Sequence, residues 1–199
     1  RQDPVYPKAV ESIIDLGAYL DTAKLRQNKK DIIIVTDECA GFHKRCRLCL
    51  AAISSVISDM LSAAAESLDI EKLNAFTGRT SKRLIPRKAE KTACGKVTAK
   101  QLSAMTMNGY KTYLPEYEKI YLLSDSFMAG SDIFLRDICD SAVRKGYDVI
   151  VSRCPLCTEM YYEHVLIPEL GTAFISSGCI NNITVESSNC LLYTSDAAD

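Results

Sequence analysis

The stretch SDSFMAGSD, residues 124–132, has the residue types and spacing that bear most directly on chemistry. It follows the apolar run KIYLL (119–123) and precedes IFLRDICDSAVRKG (133–146), so it lies after an expected strand and before an expected helix. In an open parallel sheet, ligands sit beyond the carboxyl ends of the strands. A loop placed there cradles phosphates when glycines let successive backbone N–H groups converge and a lysine adds positive charge, as in the pattern G-x-x-x-x-G-K-[ST]. Aligning Gly130 with the second glycine of that pattern puts Asp125 at the first glycine, Ser131 at the lysine and Asp132 at the hydroxyl. Three of the four diagnostic positions differ, and two carboxylates stand where phosphate oxygens would lie. Asp125, Ser126, Phe127, Met128, Ala129, Gly130, Ser131 and Asp132 therefore read as a degenerate phosphate loop. Asp132 is expected to cap the following helix and so to occupy the donors a phosphate would use. Exchanging a nearby cation for anions costs on the order of several kcal/mol at an effective dielectric of about 20, so tight triphosphate binding is not expected. Magnesium in such sites is held by a hydroxyl and a strand-end Asp, whereas the candidate third strand LGTAFIS (170–176) runs into Ser176 and Ser177 without a carboxylate. The other Gly-Lys pair, in CGKVT (94–98), has Val97 in place of the hydroxyl and no strand before it.

The thiols and histidines offer less. Cys46-x-x-Cys49 and Cys154-x-x-Cys157 could together ligate zinc, but more than a hundred residues separate them and the first pair falls on a helical apolar stripe, where cysteine serves as a small hydrophobe. Cys154 and Cys157 follow a strand, where a low-pKa thiolate or a metal site is imaginable; a redox role needs a fold context that the flanking pattern does not give. No metal site is assigned, and Cys154 and Cys157 remain the weak candidates. His43 and His164 have no paired nucleophile, so no triad is read. Glu159, Glu163 and Glu169 could supply a general base, but in a loop-rich stretch they are expected to be solvated. The basic cluster Lys82, Arg83, Arg87, Lys88, Lys91 and Lys96 lacks interleaved aromatics and reads as a solvated linker.

The elements that position these residues differ along the chain. Up to about residue 87 the pattern is helical: a short helix ending at Gly17, then Asp21 or Thr22 as the cap of a long helical region. DIIIVT (31–36) has strand composition, but its flanks carry no turn signal except Gly41, and context favours helix. Phe42, Cys46, Cys49, Leu50, Ile53, Val56, Ile57 and Met60 recur at three and four and form a stripe that must be buried. Asp69 caps a shorter helix, and residues 79–92 read as a connector. KIYLL, the helix from Asp132 and DVIVS (148–152) make a βαβ unit, which requires a parallel sheet. Residues 96–117 lead into that sheet as helix or loop. The fold class is α/β: an incomplete parallel-sheet unit of phosphate-loop type, preceded by a long-helix region.

With 199 residues, 47% of them hydrophobic, the chain can build a core. Its 24 Lys and Arg against 25 Asp and Glu argue against nucleic acid or an anionic membrane as partner. No unbroken apolar run reaches the 18 or so residues of a membrane span, and the first residues carry no signal-peptide pattern, so the chain is expected to be cytoplasmic. Residues 190–199, CLLYTSDAAD, read as a translated sequencing adapter with little reason to fold.

The segments KIYLLSDSFMAGSDIFLRDICDSAVRKGYDVIVSRCPLC and EHVLIPELGTAFISS resemble the second unit of a bacterial family of uncharacterised ATPases built from two tandem P-loop units. DPVYPKAVESIIDLGAYLD and the long helices after it resemble the end of that family's first unit with its helical insertion. The resemblance implies residues 1–92 as helical region and 93–189 as a truncated P-loop NTPase-like domain, beside the 190–199 tail read as non-native. It also implies ATP and magnesium as cofactors of an intact parent and a missing upstream unit as partner; the loop residues lead to none expected bound by this portion, and exposure of the helical stripe predicts self-association. Where the family carries an intact phosphate loop, this chain has DSFMAGSD.

Overall fold

The computed structural model describes residues 16–88, 93–114, 116–157, 161–183 and, by backbone, 190–194. The chain divides into two compact units, Arg1–Leu48 and Cys49–Asp199. The short helix expected to end at Gly17 lies largely outside the described residues, which begin with a 3-10 turn, Leu16–Tyr19.

In the first unit, Asp21 caps α1 (Thr22–Gln27): its Oδ1 accepts from the N–H groups of Ala23 and Lys24, both at 3.1 Å. A break at Asn28 precedes α2 (Lys29–Glu66), 38 residues long, whose residues from Cys49 on belong to the second unit. DIIIVT is helical within it, as its turn-free flanks require, and Ile32, Ile33, Ile34, Val35 and Phe42 are exposed. The segment is long and apolar enough to cross a membrane by length and composition; Ser and Asp interruptions hide it from a search for an unbroken apolar run. The stripe expected to be buried is buried in part only. Ile57 is enclosed and Leu50 and Met60 are half-buried, but Phe42, Ile53 and Val56 lie open.

The second unit is built on a six-stranded sheet in the order β1-β5-β6-β7-β4-β8. Its strands are β1 (Val97–Ala99), β4 (Lys119–Ser124), β5 (Val149–Arg153), β6 (Tyr162–Ile167), β7 (Thr172–Ser177) and β8 (Cys190–Thr194), while β2 (Ser103–Thr106) and β3 (Gly109–Thr112) form a separate hairpin. Five strands of the sheet run one way and β6 runs against them. The structure is thus mixed α/β with a mostly parallel sheet and a long helix before it. β4, α4 (Ala129–Arg144) and β5 make the expected parallel crossover, but β6 and β7 stand between the two strands.

Apolar residues alternate across both faces, which is why these strands read as continuous hydrophobic runs. Tyr121, Leu123, Val165, Ile167 and Phe174 pack with Phe134, Leu135 and Ile138 of α4 in one cluster. Leu122, Leu166, Ala173 and Ile175 form another. Helix α3 (Ile70–Leu84), capped by Asp69 through Lys72 N–H at 3.0 Å, packs on α4 through Phe76 and Phe134, whose ring centres are 5.7 Å apart. The stretch read as a connector from residue 79 is therefore helical through Leu84.

Three further expectations are corrected. YEHVLI is a buried strand rather than a loop-rich stretch. Within 96–117 the chain forms β1 and the β2–β3 hairpin rather than helix. Residues 190–194 add β8 beside β4, in register Ile120 with Cys190 to Ser124 with Thr194, because CLLYT offers β-forming residues to an open edge.

Candidate functional site at the carboxyl edge of the sheet

The carboxyl ends of β4, β5 and β7 and the start of β6 lie along one edge, where Ser124, Arg153, Ser177 and Tyr162 meet the loops. The loop of residues 125–128 leaves β4 there. Asp125 N–H bonds Ser177 O at 2.9 Å, and the chain then reverses through Met128, a buried residue with φ of 63° and the left-handed conformation. Helix α4 begins at Ala129, three residues earlier than the expected cap at Asp132.

That early start decides which carboxylate closes the loop. Asp125 Oδ1 accepts from Met128 N–H at 2.9 Å and Phe127 N–H at 3.2 Å, and its Oδ2 accepts from Ser131 N–H at 2.8 Å. A ring of backbone donors at a helix amino end is the arrangement that holds phosphate elsewhere; here it is filled by a side chain seated in the loop itself. Asp132 does not cap the helix. Its Oδ1 accepts from Tyr162 N–H at 2.7 Å and its Oδ2 pairs with Arg136 Nε at 2.8 Å, so it pins the start of β6 to α4.

The remaining loop positions are equally committed. Ser131, at the place of the phosphate-loop lysine, is buried; its hydroxyl donates to Met128 O at 3.2 Å and lies 2.7 Å from the Tyr161 hydroxyl, which also donates to Met128 O. Gly130 has ordinary room for a side chain, its nearest neighbour being Asp125 Oδ2 at 3.6 Å from a built Cβ, so this glycine answers no steric demand. At this loop a steric demand falls on Gly178, whose Cβ would stand 2.6 Å from Asp125 O and 2.7 Å from Met128 Cγ. Ser126 and Phe127 are exposed and Ala129 is buried.

Beside the loop lies an open groove of about 760 Å³, lined among others by Ser58, Leu61, Asp132, Cys157 and Tyr161. Behind it is a buried polar cluster. Glu163, fully enclosed, accepts from the Tyr110 hydroxyl at 2.5 Å and from Asn181 Nδ2 at 2.7 Å, and Asn181 Nδ2 also donates to Ser176 O at 3.0 Å. Burial pushes the Glu163 carboxyl above its ordinary range against these hydrogen bonds. His164 is likewise enclosed, with Nε2 3.4 Å from Ser103 Oγ and Nδ1 without a protein partner; burial lowers it to about 3, so its ring is neutral. The expectation that Glu163 is solvated is overturned. Glu169 is exposed and paired with Lys88 at 2.6 Å, while Glu159 and Lys91 lie outside the described residues.

Other sequence candidates are scattered. Gly95 and Lys96 lead into strand β1 rather than a helix, tied by Gly95 N–H to Val143 O at 2.9 Å and Lys96 N–H to Asp148 Oδ1 at 2.7 Å. His43, Cys46 and Cys49 are exposed on α2. Lys82, Arg83 and Arg87 are exposed, and Lys88 also lies over the Tyr147 ring at 4.7 Å. Cys154 is buried and Cys157 half-buried at the groove. Among the described residues, no group of three or more His, Cys, Asp or Glu is gathered as a metal would need. Sequence reasoning missed Tyr110, Tyr161 and Asn181, which come from a hairpin, a strand start and a loop that carry no motif.

With this geometry in view, comparison with protein-family models, curated proteins and solved structures finds no match.

Proposed function

We propose that residues 93–189 are a P-loop NTPase-like unit whose phosphate loop is closed by its own aspartate, so that it neither binds nor hydrolyses ATP. In this reading any hydrolysis belongs to an upstream unit using magnesium and ATP, and this portion serves the parent as a framework. The observation that carries the proposal is the seat of Asp125 on the N–H groups of Phe127, Met128 and Ser131. An incoming phosphate would have to displace an intramolecular carboxylate, and would find the buried Ser131 where the pattern has its lysine.

Titration calorimetry with Mg-ATP and with pyrophosphate tests this. The chain is expected to show no binding tighter than about 1 mM, and Asp125→Ala, with its donors freed, to gain at least about tenfold in pyrophosphate affinity. Micromolar Mg-ATP binding by the unsubstituted chain contradicts the reading.

The exposed apolar residues Ile32–Val35 and Phe42 support a second role, that of a non-catalytic interaction arm which packs on the upstream unit or on a second copy. Light scattering is expected to show concentration-dependent association of a cytoplasmic chain; a strict monomer, or recovery with membranes, counts against it.

A further inference from the structure

We propose that Cys154 and Cys157 form a thiol–disulfide exchange site, entered through the groove at Cys157, that takes a low-molecular-weight disulfide. The pair lies in one turn, Cys154-Pro155-Leu156-Cys157, directly after β5 at the carboxyl edge of the sheet. Cys154 is 1% exposed and anchored by its N–H to Tyr161 O at 3.1 Å. Cys157 is half-exposed and lines the open groove. The C-x-x-C spacing is that of dithiol exchange sites, and its two thiols differ in access, Cys154 enclosed and Cys157 at the groove.

The Tyr110 hydroxyl, whose proton goes to Glu163 Oε1, lies 3.9 Å from Cys154 Sγ. Chiefly through the Cys157 hydrogen bond, and against burial and the nearby Glu163 carboxyl, Cys154 is pulled down to about 6, while the same shared proton holds Cys157 up. The pull is towards a thiolate on Cys154 with the proton kept on Cys157. Cys139 supplies the contrast: enclosed in the core, its thiol is pushed up to about 11 by burial and it faces no second thiol.

The chemistry balances with a disulfide RSSR as oxidant. As the proton shifts to Cys154, the Cys157 thiolate attacks one sulfur of RSSR; the S–S bond breaks, a Cys157–S–SR bond forms and RS⁻ leaves. Cys154 gives its proton to that RS⁻, then attacks the Cys157 sulfur, forming the Cys154–Cys157 bond and expelling the second RS⁻. Two thiols have been oxidised and one disulfide reduced. Burial assigns the order, because Cys154 cannot meet RSSR itself.

The test treats the full chain with oxidised glutathione, quenches with acid and maps thiols by mass spectrometry; cleavage after Arg153 and Glu159 releases residues 154–159 with both cysteines. The chain is expected to lose two hydrogen masses on that peptide. Cys154→Ser is expected to carry glutathione on Cys157 while Cys139 stays a free thiol, and Cys157→Ser to leave Cys154 a free thiol. Modification of Cys139 in either variant marks unfolded material, in which case Cys154→Ala and Cys157→Ala replace it. The proposal is overturned if the peptide keeps two free thiols while the exposed Cys39 and Cys179 become glutathionylated, or if Cys154 reacts in Cys157→Ser.

Discussion

The Oδ2 atom of Asp125 lies 2.8 Å from the backbone nitrogen of Ser131 and accepts its hydrogen bond, spanning the whole turn between β4 and α4. Loop and helix end are thereby locked together by one side chain, whose other oxygen holds the N–H groups of Phe127 and Met128. The backbone donors at this helix end are thus turned to the protein's own stability.

Removing that carboxylate is expected to loosen the fold. Asp125→Ala should cost about 1–3 kcal/mol, the range for losing a side-chain cap that satisfies several backbone donors with a charged acceptor. Asp125→Asn, which keeps an acceptor oxygen, should cost less. Urea unfolding of the two variants checks the order, and an unchanged midpoint for Asp125→Ala would refute it.

Gly178 must stay small. A methyl group there meets Asp125 O and Met128 Cγ at under 3 Å, so Gly178→Ala is expected to destabilise by about 1–3 kcal/mol through overpacking. Gly130→Ala, with its nearest neighbour at 3.6 Å, is expected to be neutral or mildly stabilising in the helix. Comparing thermal midpoints of the two separates steric need from motif habit.

Tyr161→Phe should cost about 1–2 kcal/mol, because it removes the hydroxyl that donates to Met128 O and lies against Ser131 Oγ, leaving Met128 O with the 3.2 Å bond from Ser131. A matching loss in Ser131→Ala, with the double variant losing less than the sum, is the expected double-mutant cycle. Strict additivity would mean that the two hydroxyls act independently.

The pH dependence of stability contains two opposed contributions. His164, lowered to about 3 by burial, contributes stability that is present above its unfolded value near 6.5 and is lost as pH falls towards 3. Glu163, raised by burial, contributes stability present below its unfolded value near 4.5 and lost as pH rises through its folded value. Where the windows overlap they oppose each other. Glu163→Gln should therefore uncover the histidine effect, making the chain lose up to about 1.4 kcal/mol per pH unit on acidification below 6.5. Denaturant midpoints measured from pH 7.5 to 5 test it; a variant as flat as the parent excludes His164 as the titrating group.

Much of the second unit is legible in the amino-acid sequence. KIYLL, DVIVS and the stretch ending in ISS announce β4, β5 and β7, because strands buried on both faces show unbroken apolar runs between Gly and Pro signals. Strand β6 is not legible. YEHVLI places Glu163 and His164 in a buried strand, and their partners Tyr110, Asn181 and Ser103 come from distant segments that no local pattern links. β1 is hidden for a different reason, its three residues all exposed and without alternation. At the loop itself, the residue types place carboxylates beside the backbone donors, and Asp125 is seated on them. They point to the wrong aspartate as the cap because the usual rule seats the capping residue immediately before the helix, whereas the side chain that reaches the donors starts three residues before Met128.

The amide resonances of Phe127, Met128 and Ser131 followed during titration with Mg-ATP put the central claim to its most direct test. A loop occupied by Asp125 predicts that these three signals stay in place up to about millimolar nucleotide. Saturable shifts of all three at micromolar Mg-ATP would show phosphate taking the aspartate's seat and would contradict the account.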